Sequence, residues 1–359
     1  MGQEVLNAAH EGSDHAEQAE QHDIGEATLE QLRADVTRLA EQTDTGEPLP
    51  VFADMRRVRD RIHRTLDGRL RPPERTKLYF LLGSLSGLMG VTASRLGRQE
   101  TAEELTRSGW AYATALDHPP LRGMLHAKLS DIMYWRGCFS DSRRLAADGL
   151  QHMPHGPMGA LLRLSHARAS ARFGDAGAAR QAVHAADDAR HRDYSDDLLE
   201  IGGEEFAPSL ATHHCLAGMT FAEIAGADRD AEEELELALG LYDLEPRPGE
   251  QHWFGGKPLA GIGLAAIRLR SGALDAAADA LEPVLSLPPA RRVTSLVTRV
   301  AQVGDELAAP IFRGSAQARD LGKQIEEFGC EAVSGHAAPP SWHRRGSYAG
   351  VEPQYVRHK

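Results

Sequence analysis

The residues best equipped for chemistry fall in three short stretches of this 359-residue chain. Ile201 to Pro208 reads IGGEEFAP: two glycines that let backbone come close to a phosphate, then two carboxylates of the kind that hold divalent cations. Thr212 to Cys215 reads THHC and sets two imidazoles beside a thiol. RRVRDRIHRTLDGRLRPPER packs eight arginines between Arg56 and Arg75, enough positive charge to grip phosphates.

Each stretch needs a scaffold, and the flanking sequence decides what it is. Gly202 to Phe206 spells the signature loop of diguanylate cyclases, which sits at the tip of a β-hairpin. Here HRDYSDDLLE precedes it with helical spacing and SLATHHCLAGMTFAEIAGA follows as a helix. No phosphate-cradling loop and no second acid after a strand accompany it, so the glycines read as a break between helical hairpins. Neighbours on a helix point about 100° apart, whereas helical metal sites use i, i+4 spacing; His213 and His214 therefore read as one inward and one groove-facing residue. Asp54, Asp60 and Asp67 interleave the arginines beside a stripe of Met55, Val58, Ile62 and Leu66, which is the pattern of an ion-paired, solvated face. Cys138, Cys215 and Cys330 stand alone, and no G-x-S-x-G elbow occurs. With no nucleophile and base brought together, the expectation is a protein without enzymatic activity, metal or cofactor.

The elements that must position these residues are helices. The composition is 42% hydrophobic but only 6% aromatic, and is dominated by Ala, Leu, Arg and Gly. The turns RLGRQETAEEL, WRGCFSDSRRL, RFGDAGAARQA, IAGADRDAEEEL and RSGALDAAADAL align on Gly97, Gly137, Gly174, Gly226 and Gly272. Five positions after each stands a small residue: Ala102, Ser142, Ala179, Ala231 and Ala277. Glycine permits the tight turn, and the small residue lets two antiparallel helices approach. Leu121, Met124, Leu125, Leu129, Ile132 and Met133 form a helical stripe, as do Leu274 to Leu285 and Val293 to Val300. Strand alternation is absent. The fold class is all-α: a tetratricopeptide-like α-solenoid of about six right-handed stacked hairpins.

Residues 1–22 read as an acidic flexible leader, 23–330 as the helical-repeat domain and 331–359 as a disordered tail or docking arm. Asp23 is placed to cap the first helix, with Glu26 completing a capping box, and a second helix is expected from about Val51 to Leu66. Of the net charge of −12, −10 falls in residues 1–47, so the body carries no global field to draw nucleic acid. No apolar run spans a bilayer and no signal peptide is evident; with an odd number of cysteines the expected location is cytoplasmic.

The stretch from LNAAHEGSDHAEQAEQHDIG through LRADVTRLA and GEPLPVFADMRRVRDRIHRTLDGR, on to SWHRRGSYAG, resembles actinobacterial helix-turn-helix regulators of the XRE type. There a small DNA-binding domain precedes a long helical-repeat domain. The resemblance spans roughly residues 5–330 and implies transcriptional control. Its DNA-binding domain would lie before Leu6, so DNA contact is expected only through a domain not present here. It also implies homodimerisation through a terminal hairpin, because such regulators read paired half-sites.

In tetratricopeptide-like stacks the first helix of each hairpin lines the concave face. His126, Ser130 and Tyr134 at i, i+4, i+8, Arg163 and His166 on the next first helix, His213, and Trp253 in HWFGG are the candidate groove residues. The expected partner is a peptide, protein or small-molecule effector in that groove. Two other readings stand beside it: an enzyme built on the same residues, if they converge in a closed pocket, and a peptide-sensing receptor.

Overall fold

The computed structural model describes residues 25–192, 194–244, 251–330 and 332; the leader, the Asp23 cap and almost all of the expected tail lie outside them. The described residues hold fourteen α-helices and no strand. They pair as seven hairpins: α1 (Glu26–Thr45) with α2 (Pro48–Leu66), α3 (Pro72–Arg95) with α4 (Gln99–Ala115), α5 (Pro119–Trp135) with α6 (Phe139–Leu150), and α7 (Gly156–Phe173) with α8 (Ala176–Arg190). The rest are α9 (Leu210–Phe221) with α10 (Asp228–Tyr242), α11 (Gly256–Arg270) with α12 (Leu274–Leu285), and α13 (Thr294–Glu306) with α14 (Ala316–Cys330). The seventh escapes the glycine pattern because residues 307–315 join α13 to α14 through a 3-10 turn, Pro310–Phe312. α2 starts earlier than expected, at Pro48, where a proline costs nothing because the first-turn N–H has no intrahelical partner.

All five hinge glycines adopt positive φ, between 76° and 92°. At Gly97, Gly137, Gly174 and Gly272 the next residue's N–H reaches back five positions, as in Arg98 N–H to the Ala93 carbonyl at 2.9 Å, which closes the helix end. Asp117 makes the same turn at φ 49°, tolerated because a short polar side chain is the least strained non-glycine there.

The residue five on is fully buried in each of the five glycine-hinged hairpins: Ala102, Ser142, Ala179, Ala231 and Ala277. It starts a narrow stripe along each second helix, such as Ala102, Thr106, Gly109 and Ala113 on α4. Opposite this stripe, a Cβ on Gly90 of α3 would lie 2.1 Å from Thr106 Oγ1, so the two backbones are nearly in contact. First helices pack against one another in sequence, α3 to α5 to α7 to α9 to α11 to α13, and α13 also reaches α3. Thr294 Oγ1 donates to the Arg95 carbonyl at 3.1 Å and Arg291 to the Thr45 carbonyl at 3.1 Å, so the stack curls until its two ends meet.

Backbone strain and packing separate cleanly at one hinge. Gly226→Ala puts a methyl into open space at φ +76°, and its cost should be the left-handed strain alone, about 1 kcal/mol. Ala231→Leu forces a large side chain into the closed α9–α10 seam and should cost about 1–3 kcal/mol. Urea unfolding midpoints check this; an Ala231→Leu protein as stable as wild type would show that the seam is loose.

Candidate functional site

The inward faces of the first helices line a partly open cavity of about 140 Å³. Arg95 of α3, Lys128 and Asp131 of α5 and Arg168 of α7 supply its charge, with Leu161, Leu216 and Leu259 from α7, α9 and α11 as its apolar wall. Two tryptophans join them, Trp135 at the end of α5 and Trp253 from the segment before α11. Glu205, from the connection between α8 and α9, completes the lining.

That connection runs back through the inside of the stack. Leu198, Ile201 and Phe206 are fully buried in the same core as α1 to α5. Gly202 and Gly203 turn the chain at φ 75° and 80°. Gly203 also passes so close to α1 that a Cβ there would lie 3.3 Å from Ala40 backbone and 3.0 Å from the Asp44 carboxylate. Asp44 accepts the Glu204 N–H at 2.8 Å, and the Asp44 carbonyl accepts the Phe254 N–H at 2.8 Å. The glycines thus serve a loop pressed against a helix. No β-hairpin presents them, and the acids they precede are buried.

The two acids face different surroundings. Glu205 bridges Arg95, at 2.5 Å, and Lys128. Burial pushes its carboxyl up, but Lys128 and Arg95 outweigh that and hold it below its ordinary value. Glu204 has no cation; its Oε2 accepts the Ser209 N–H at 3.0 Å, and burial lifts it to about 7. Asp44 is likewise raised well above the carboxylate range, by burial and then by Glu205. The Arg95 guanidinium carbon lies over the Trp253 ring, 4.7 Å from its centroid.

Beyond the cavity floor a second ionic cluster ties α13 to the middle of the stack. Arg299 donates to Tyr134 Oη and to Glu223, both at 2.6 Å, and Arg172 donates to Glu223 at 3.1 Å. Burial raises the Glu223 carboxyl, yet Arg299 and Arg172 bring it down to about 2. Arg168 pairs with Asp131 and stacks on the Tyr134 ring at 4.2 Å.

Of the seven candidate groove residues, Trp253 lines the cavity and the others do not. Tyr134 is buried behind it, spending its hydroxyl on Arg299. Ser130 is buried in the α5–α6 seam, donating to the Ser142 carbonyl at 2.9 Å. His126 packs edge-on to Trp110 and stacks with His152, and burial, then His152, depresses its pKa. Arg163 donates to the Pro154 and Gly159 carbonyls. His166 lies half-buried, depressed by burial and then by Arg143, with Ser170 3.4 Å away. His213 Nε2 meets Asp187 at 2.6 Å while His214 Nδ1 meets Glu234 at 2.7 Å, so the two imidazoles diverge. Cys215 is buried against the Gly256 carbonyl, its thiol pushed up by burial to about 12. In the arginine-rich segment Arg57, Arg59, Arg61 and Arg71 pair with Asp54, Asp60, Asp35 and Glu74. α5 turned out to be buried all round, so the face opposite its apolar stripe points into neighbouring helices, not into water.

The residues that line the cavity and escaped the sequence reading are Arg95, Lys128, Asp131 and Arg168; Glu205 stood in the IGGEEFAP stretch, which was read as a break between hairpins. Lys128 did leave a trace: it stands four residues after Met124 and four before Ile132, in phase with an apolar stripe. Glu205 is followed directly by a fully buried phenylalanine.

The raised Glu204 sets a pH dependence whose sign is fixed. An unfolded carboxyl titrates near ~4.3 and the folded one near 7, so the folded state keeps the proton longer. Its contribution is fully present below about pH 4, fades as pH rises towards 7 and is flat beyond. Glu204→Gln mimics the protonated form, and should be more stable than wild type at pH 8 by on the order of 3 kcal/mol while matching it near pH 4. Melting temperatures across that range measure the gap, and a gap independent of pH would sink the assignment.

No family model matches this chain, and no curated protein matches it in sequence. Among solved structures it is similar to the crystal structure of a Rap protein complexed with competence and sporulation factor. The TM-score is 0.50 and the identity 11%, over 90% of this chain and 92% of that one. At that identity the likeness shows a shared fold: a tetratricopeptide-like helical repeat.

Proposed function

We propose that this chain is a regulatory helical-repeat domain that binds a peptide, a protein segment or a small effector in the cavity between its first helices, without chemical turnover. The observation that carries this reading is the cavity itself, whose lining is drawn from hairpins far apart in sequence and combines tryptophan, leucine and charge. Such a mixed lining suits a ligand with an apolar body and polar groups that fix its orientation. The similar Rap structure is a complex with competence and sporulation factor, which supports a guest for this kind of stack. The residues that an enzyme would need are dispersed: His126 faces Trp110, His213 faces Asp187 and Arg163 faces Pro154. Their separation favours binding over catalysis.

A guest that touches Arg95 acts on the place where α13 meets α3, because Thr294 hangs on the Arg95 carbonyl. Binding would thereby shift the packing of the end hairpins against the rest. The resemblance of LRADVTRLA and its neighbours to XRE-type regulators supports the further reading that this shift is relayed to DNA through a helix-turn-helix domain, in a cytoplasmic homodimer. A peptide-sensing receptor is the same device with a secreted or processed peptide as its guest.

Native mass spectrometry of the protein purified from its own host tests this reading, with calorimetry of candidate peptides alongside. A bound mass, lost in a Ser295→Trp variant whose indole fills the cavity, is the expected outcome. Bare protein together with no heat from any peptide counts against a binding role for the cavity.

A further inference from the structure

The charge inside the cavity does not balance. Arg95, Lys128 and Arg168 are set against Glu205 and Asp131, which leaves one positive charge in surplus. The nearest remaining carboxyls do not offset it. Burial drives both Asp44 and Glu204 towards the neutral form, and Asp44 Oδ1 and Glu204 Oε1 are buried with no hydrogen-bond partner. Donors are also left over: Arg168, only 8% exposed, has no partner for its Nε, and Trp253 has none for its Nε1. A buried cation in excess beside unused donors is stabilised by an additional anion with acceptor oxygens.

Glu205 occupies this setting as a guest would. Its carboxylate comes from a connection, not from a helix of the stack, and takes one cation on each oxygen, Arg95 on Oε1 and Lys128 on Oε2. The connection turns at two positive-φ glycines, and nothing lies within 4 Å of the Cβ position at Gly202. The backbone of the arm is fastened by Leu198, Ile201 and Phe206 and by the Glu204 N–H on Asp44, which leaves the Glu205 side chain as the part a guest would displace.

We propose that Arg95, Lys128 and Arg168 form a carboxylate receptor for an acidic peptide, and that Glu205 is a built-in competitor which such a peptide displaces. One carboxylate of the guest takes the place of Glu205 between Arg95 and Lys128. A second, nearer Arg168, offsets the surplus. This rests on the reading of the cavity as a binding site and adds the class of its ligand.

Acetate and acetamide are the probes, at constant ionic strength with chloride, and melting temperature is the readout. Glu205→Ala uncovers two buried cations; Glu205→Gln keeps the shape and serves if the alanine variant fails to fold. Acetate should raise the melting temperature of the variant in a saturable way, at a concentration about tenfold or more below any effect on wild type. Acetamide and chloride should do nothing. Equal responses of wild type and variant, or none in either variant, overturn the proposal. Two tetrapeptides then separate the sources of the carboxylate. Acetyl-Ala-Leu-Glu-Phe-amide offers a side chain, and acetyl-Ala-Leu-Gln-Phe with a free C-terminus offers the chain end; each should bind Glu205→Gln about tenfold more tightly than wild type if its carboxylate is the one received. Peptides that bind wild type and fail with Ser295→Trp, but are indifferent to Glu205 and to their own charge, would leave the cavity a binding site and refute the carboxylate receptor alone.

Discussion

Helices with few large side chains on their packing faces must come very close before dispersion forces can hold them. This chain is built on that constraint. The second helices α4 and α6 bury only Ala, Gly, Ser and Thr, α8, α10 and α12 add one or two larger residues to their buried alanines, and the first helix answers with glycines such as Gly90. A close seam tolerates no misalignment along the helix axis, so the turn that joins the two helices has to be short and fixed. The hinge glycine with its left-handed φ supplies the turn, and the residue five positions on marks the first contact of the seam. The repeat in the sequence is the record of that single geometric demand.

Between the end hairpins, close pairing leaves most of the large apolar residues on the first helices, which pack on both flanks and build the core. Curling the stack then turns one face of those helices inward on itself. At an open groove, Arg95 and Lys128 would be solvated. With α13 drawn against α3 they are enclosed, and enclosed charges require partners. The chain meets this with the Glu205 arm and with the Arg299–Glu223–Tyr134 cluster, both of which link elements distant in sequence. Replacing such a network by apolar residues often stabilises a protein, so its presence in the cavity points to recognition more than to stability.

The hairpins were legible because their determinants are local: a glycine, a small residue at fixed spacing, an apolar stripe. The cavity was not, because its determinants meet only in three dimensions. His126, Ser130 and Tyr134 were chosen as polar residues opposite a stripe, an inference that holds for a helix with one wet face. α5 has none, being enclosed by α3, α4, α6 and α7. Lys128, in phase with the apolar stripe and passed over in the sequence, is a cavity residue. IGGEEFAP was rightly separated from a β-hairpin, although only the flank after it is a helix, α9, while residues 194–200 before it are irregular chain and turns; its glycines carry more than a break. Gly203 is pressed against Ala40 and Asp44, and no spacing along the chain announces an approach between residues some 160 positions apart.

The arm bearing Glu205 also explains why one connection in the stack is so much longer than the others. Four of the glycine hinges close within a few residues, whereas residues 191–209 leave α8, cross the interior to α1 and return to α9. A long connection costs little entropy beyond a short one, but burying its backbone demands compensation. Part of that comes from Leu198, Ile201 and Phe206 in the core, and part from caps such as the Ser209 hydroxyl on the Thr212 N–H. None of this requires a carboxylate at position 205 to reach two cations. An apolar residue there would have filled the same interior without burying charge, provided Arg95 and Lys128 were apolar too. Three ionisable groups kept together in the one cavity the first helices share is costly as architecture and intelligible as a binding site already holding a stand-in for its guest.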